Sequence, residues 1–111
     1  MKSITQRILV QLGLSPKYQG FHAIVESVDL LVKDPTYKIC ALYATIGHKT
    51  DSNAAKVERN IRHAITVIYD RGNVDLLEKI CGYNMLADGH VINGDFLHCL
   101  TMYIQEVHNN A

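Results

Sequence analysis

Apolar residues recur every three or four positions along almost the whole chain, the spacing of helices with one buried face. Ile4, Ile8, Leu9 and Leu12 make the first stripe, and Gly13 is a natural C-terminal stop. Ser15-Pro16 reads as a turn. A second helix is expected over 20–33, with Ile24, Val25, Val28, Leu31 and Val32 inside. Asp34 followed by Pro35 predicts an N-cap and a first helical residue. The third helix that they open carries Tyr37, Cys40, Ala41, Ala44 and Ile46 on its buried side, and Gly47 weakens its end. A fourth helix runs from about Asn53 to Arg71 and stops at Gly72, and Asn73 caps a short fifth over 74–81. Residues 82–92 contain two glycines and no clear period, and read as a loop. Asn93-Gly94-Asp95 opens a last helix that buries Phe96, Leu97, Leu100, Tyr103, Ile104 and Val107. Both prolines sit at element edges and alternating β-branched residues are scarce, so the expected class is all-α, a bundle with no sheet.

The fourth helix separates its residues by chemistry. Val57, Ile61, Ala64, Ile65 and Ile68 fall on one face, while Ala55, Arg59, Arg62, His63 and Thr66 face the other way. The polar turn Thr50-Asp51-Ser52-Asn53 precedes it, and a helical segment precedes the turn. A helix, a tight turn and a second helix with arginines near its start is the arrangement that enters the DNA major groove. In that reading Arg59 and Arg62, one turn apart, each donate two bonds to a guanine, and Glu58 is suited to accept from cytosine N4. Lys49, Ser52, Asn53, Lys56 and His63 are placed for phosphates, which set register but carry no sequence information. A plain surface is the competing reading: Glu58 and Arg62 have the spacing of an ordinary i,i+4 ion pair, and Arg59 and His63 are then simply solvated.

At 111 residues a single domain, 1–111, is the default. Eleven cations balance eleven anions, which weighs against an indiscriminate polyanion binder but allows a local basic patch. Cys40, Cys81 and Cys99 are odd in number and widely spaced, which argues against a disulfide framework and suits a reducing compartment. They sit among apolar residues and read as small core side chains. No stretch is apolar enough to span a membrane, and polar residues interrupt the N-terminus before a signal-peptide core can form, so the expected location is the cytoplasm. Six histidines and three cysteines show no paired ligand spacing, and His98 and Cys99 project about 100° apart on a helix. No metal, no cofactor and no enzyme activity is expected. The aromatic residues are not interleaved with basic ones as in single-strand binders.

The block Val57-Glu58-Arg59-x-Ile61-Arg62-His63-Ala64-Ile65, followed by Arg71-Gly72-Asn73-x-Asp75 and Gly82-Tyr83, resembles the C-terminal DNA-binding effector domain of the stage zero sporulation protein A family of response regulators. The likeness extends to Ile4-Thr5, Leu12-Gly13, Pro16, Gly20, Asp34, Leu42-Tyr43 and Asn93-x-x-Phe96. It implies about six helices with a helix-turn-helix, the fourth helix being the recognition helix. It implies a transcription regulator that reads a short promoter box in double-stranded DNA, bound as tandem copies, with a homodimer on tandem sites as one arrangement. By position, Glu58, Arg59 and Arg62 match base-contacting residues, and Lys49, Ser52, Asn53, Lys56 and His63 fall in the backbone-contacting neighbourhood. The segment from Gly72 to Met85, with Asp75, Glu78, Lys79 and Tyr83, matches a surface that meets the RNA polymerase sigma subunit.

The chain also departs from the family pattern. Ala44, Thr45, Gly47, His48 and Lys49 stand where proline, aspartate, alanine and paired lysines are usual, and Val91 replaces a usual proline. The phosphate-accepting receiver domain that precedes the effector in the family is not in this sequence, which is expected to be either a piece of a longer protein or a stand-alone relative. Zero net charge and the missing receiver motivate a second function. A receiver-less interaction module would bind a full-length regulator or sigma subunit without productive DNA contact.

Overall fold

The computed structural model describes residues 2–82 and 92–109. Six helices lie in them: α1 Lys2–Gln11, α2 Gln19–Lys33, α3 Ile39–Lys49, α4 Ala54–Arg71, α5 Val74–Cys81 and α6 Asn93–Asn109. There is no strand among the described residues, so the all-α expectation holds. Most of the loop expected over 82–92 lies outside the described residues.

Helix α4 packs chiefly against α2 and α3; α2 also packs on α1 and α6, and α5 closes onto α6. The α4 stripe is buried as its period requires: Val57, Ile61, Ala64, Ile65 and Ile68, joined by Val67. Ile24 and Leu31 of α2, Leu42 of α3, Leu77 of α5 and Phe96, Leu97 and Leu100 of α6 are wholly buried in the same core. Each such side chain contributes about 1.5–3 kcal/mol on leaving water. The buried hydroxyls of Ser27 and Thr101 each donate to the carbonyl four residues back, at 2.7 Å, which spares them the cost of an unpaired polar group.

Several expectations require correction. Asp34 does not cap α3. Its carboxylate accepts from the Thr36 amide at 3.0 Å and the Thr36 hydroxyl at 2.6 Å, and its carbonyl accepts from the Tyr37 amide. Asp34-Pro35 therefore makes a turn, and α3 starts at Ile39 after Lys38, which provides no side-chain cap. The buried face of α3 is Leu42, Tyr43, Ile46 and Gly47, while Cys40, Ala41 and Ala44 are exposed. Two stripes competed on this short helix, and the one with the larger side chains gains more from burial. Val107 is also exposed, in the last turns of α6.

The cysteines divide accordingly. Cys40 is exposed, Cys99 half-buried and Cys81 buried. Burial pushes the Cys81 thiol up to about 12, leaving almost no thiolate at neutral pH. A thiol reagent added to the native protein should modify Cys40 first and Cys81 only on unfolding. Mass spectrometry of the labelled peptides reads that order, and early labelling of Cys81 would contradict it.

Candidate nucleic-acid interface

Helices α3 and α4 are joined by the short turn 50–53. The Thr50 amide donates to the Ile46 carbonyl at 3.0 Å, and the Ser52 amide donates to the Gly47 carbonyl at 2.6 Å. Asp51 takes φ 57°, a left-handed conformation that aspartate tolerates better than most residues. Gly47 makes the turn this tight. A Cβ there would stand 2.7 Å from the Asn53 carbonyl carbon and 2.9 Å from its Cα. Gly47 is thus a packing residue inside α3, which continues to Lys49. Asn53 caps α4, its side-chain oxygen accepting from the Lys56 amide at 2.9 Å.

The outer face of α4 presents Lys56, Arg59, Arg62, His63 and Thr66 to solvent. Arg62 Nη1 lies 3.0 Å from Glu58 Oε1, and both side chains are well exposed, at 62% and 45%. Such a pair is worth only tenths of a kcal/mol, so a stronger acceptor can take the guanidinium. Among the described residues Arg59 has no ion pair. The Asn93 side chain at the start of α6 donates through Nδ2 to the Glu58 carbonyl at 3.0 Å and fixes the backbone beneath these side chains. Next to it, burial raises the Tyr43 phenol above its usual value, against the opposing pull of its bond to Asn93.

Two features of the surroundings had no local signal in the sequence. First, the start of α2 flanks the recognition face. Gln19 Oε1 accepts from Asn60 Nδ2 at 3.1 Å, and the Tyr18 ring meets the His63 ring edge-on at 5.9 Å. Lys17 Nζ lies 5.8 Å from the centre of the Tyr18 ring. Second, Lys49 is not free: its Nζ is 2.9 Å from Glu26 Oε2, while Glu26 Oε1 takes Lys2 Nζ at 2.9 Å. The hydrogen bonds from Lys2 and Lys49 hold the Glu26 carboxyl below the usual carboxylate range, and Glu26 in turn raises Lys2.

The remaining expected site residues divide by exposure. Asn53, Lys56 and His63 are exposed on the α4 side of the turn. Ser52 is half-buried, and its hydroxyl oxygen is enclosed with no hydrogen-bond partner among the described residues. With its amide already given to Gly47, Ser52 brings neither group to the surface. At the opposite end of α4, Asp75 and Lys79 are exposed, and Gly72 and Glu78 are half-buried. At about 1.5 Å per residue, Gly72 lies about 20 Å along the α4 axis from Arg59 and about 15 Å from Arg62, so this second face is separate from the arginines. Tyr83 lies outside the described residues.

The structure places Glu58, Arg59 and Arg62 on the outer side of a capped α4, with Val57, Ile61 and Ile65 buried beneath. Residues 5–104 match the family described as sporulation initiation factor Spo0A C terminal. The chain belongs to that family. Its members are DNA-binding regulatory domains of sporulation and not an enzyme family. Among the described residues no helix is long and apolar enough to cross a membrane, and no group of histidine, cysteine, aspartate and glutamate is arranged to hold a metal.

Proposed function

We propose that this chain is a sequence-specific regulator of transcription that reads a short promoter box in the major groove of double-stranded DNA. Arg59 and Arg62 contact guanines, and Glu58 refines base choice. Lys49, Asn53, Lys56 and His63 hold phosphates, and Ser52 helps only by shaping the turn. The face with exposed Asp75 and Lys79 and half-buried Glu78 and Gly72 meets the sigma subunit, and the family resemblance assigns Tyr83 to the same contact. The observation that carries this reading is a pair of exposed guanidinium groups one turn apart, on a helix whose opposite stripe is buried and whose start is capped by Asn53.

Selection from a randomised duplex pool tests it. One enriched box is expected, bound more weakly as salt rises. Lys56→Ala should weaken all duplexes about equally and flatten the salt slope by roughly 1. Recovery of a random pool would contradict the reading. The zero net charge supports the alternative, an interaction module that does not use DNA. Failure to bind at every salt concentration, with capture of a full-length regulator or sigma subunit through the Gly72–Lys79 face, is the outcome that favours it.

A further inference from the structure

Glu26 holds two lysines at once, each at 2.9 Å, one from the start of α1 and one from the end of α3. Its side chain is 23% exposed, while Lys2 and Lys49 are 46% and 61% exposed. Two cations share one anion, so the cluster carries an excess positive charge. Glu26 and Lys49 also line a cavity of about 440 Å³ between α2 and the turn, together with His22, Asp51, Lys56 and Asn60. A phosphate held at the turn would draw on the same lysine that Glu26 now occupies.

We propose that Glu26 is an internal rival of DNA phosphate for Lys49, and that Lys2 is the cation it keeps when Lys49 is released. This rests on the DNA-binding reading above. Leaving a partly buried carboxylate unpaired is costly, and an exchange that stranded Glu26 would oppose binding. Lys2 removes that obstacle, because the carboxylate remains paired whichever partner Lys49 chooses. Glu26 therefore sets affinity below what the exposed cations alone would give, on every DNA sequence alike, since phosphate contacts carry no base information.

The test is a double-mutant cycle read by fluorescence anisotropy on a labelled duplex bearing the selected box and on a scrambled duplex. Glu26→Gln keeps the shape of the side chain and removes its charge. It should tighten both duplexes by about 3–10-fold at low salt and steepen the salt slope by about 1. Lys49→Ala should itself weaken both duplexes, and Glu26→Gln should add nothing in the Lys49→Ala background, so that Lys49→Ala and the Glu26→Gln/Lys49→Ala double variant bind alike. Lys2→Ala should weaken both duplexes, because Glu26 is then left with Lys49 alone. Melting curves establish that each variant is folded. Carboxyl-carbon NMR of the free protein adds a readout without DNA: the Glu26 midpoint should rise toward its ordinary 4.5 when either lysine is removed.

No gain from Glu26→Gln, or a gain that survives Lys49→Ala, overturns the proposal while leaving the DNA reading intact. A Glu26 midpoint that ignores both lysines also overturns it. If neither the unsubstituted chain nor Glu26→Gln binds any duplex, both readings fall together.

Discussion

Gly20→Ala should lower the melting temperature by roughly 10 °C. Gly20 is buried where α2 meets α4. A Cβ there would press into the Asn60 carbonyl oxygen and stand 2.7 Å from the Ala64 Cβ. The first obstacle is backbone, which cannot rotate aside as a side chain can. Overpacking costs about 1–3 kcal/mol, and the rigidity of this obstacle puts the change at the upper end. The two helices must separate, and the Gln19–Asn60 bond beside the recognition face is strained with them. Gly94→Ala is the control: its added Cβ would meet only Ile39 Cγ1, at an ordinary 3.5 Å. It should hold stability or raise it by up to about 1 kcal/mol, because alanine restricts the unfolded chain. Equal melting of the two variants would show that α2 and α4 are not in close contact at Gly20.

Arg59→Ala and Arg62→Ala should each cost about 1–3 kcal/mol on the selected box, and each should relax preference at one base position. Neither arginine supports the core, so melting should be nearly unchanged. Arg62→Ala also frees Glu58 from its 3.0 Å partner, leaving an unneutralised carboxylate facing the groove. Arg62→Ala should therefore be the more damaging at low salt. Lysine at either position should not restore discrimination, because an ammonium cannot donate the planar pair of bonds that guanine accepts. Loss of base preference without loss of stability separates a reading role from a structural one.

The residues that made this surface legible are those whose signals are local. The α4 stripe from Val57 to Ile68, the Asn53 and Asn73 caps and the outward Arg59 and Arg62 follow from a period and a turn within a few residues of each other. The face of α3 did not follow, because eleven residues supported two stripes and only packing against α4 decided between them. Asp34 had a local alternative in Thr36, which sequence spacing does not rank against capping. The Glu26–Lys49 pair spans 23 residues and the Gln19–Asn60 bond 41, and no periodic argument reaches across such separations. The enclosure of the Ser52 hydroxyl is likewise a consequence of how closely Gly47 lets the turn approach α3.

The most direct measurement is an anisotropy titration of the unsubstituted chain and the Arg59→Ala/Arg62→Ala double variant on the selected box and a scrambled duplex at low salt. The unsubstituted chain should prefer the box, and the double variant should bind both duplexes alike with its fold intact. A double variant that keeps the original preference would contradict the account.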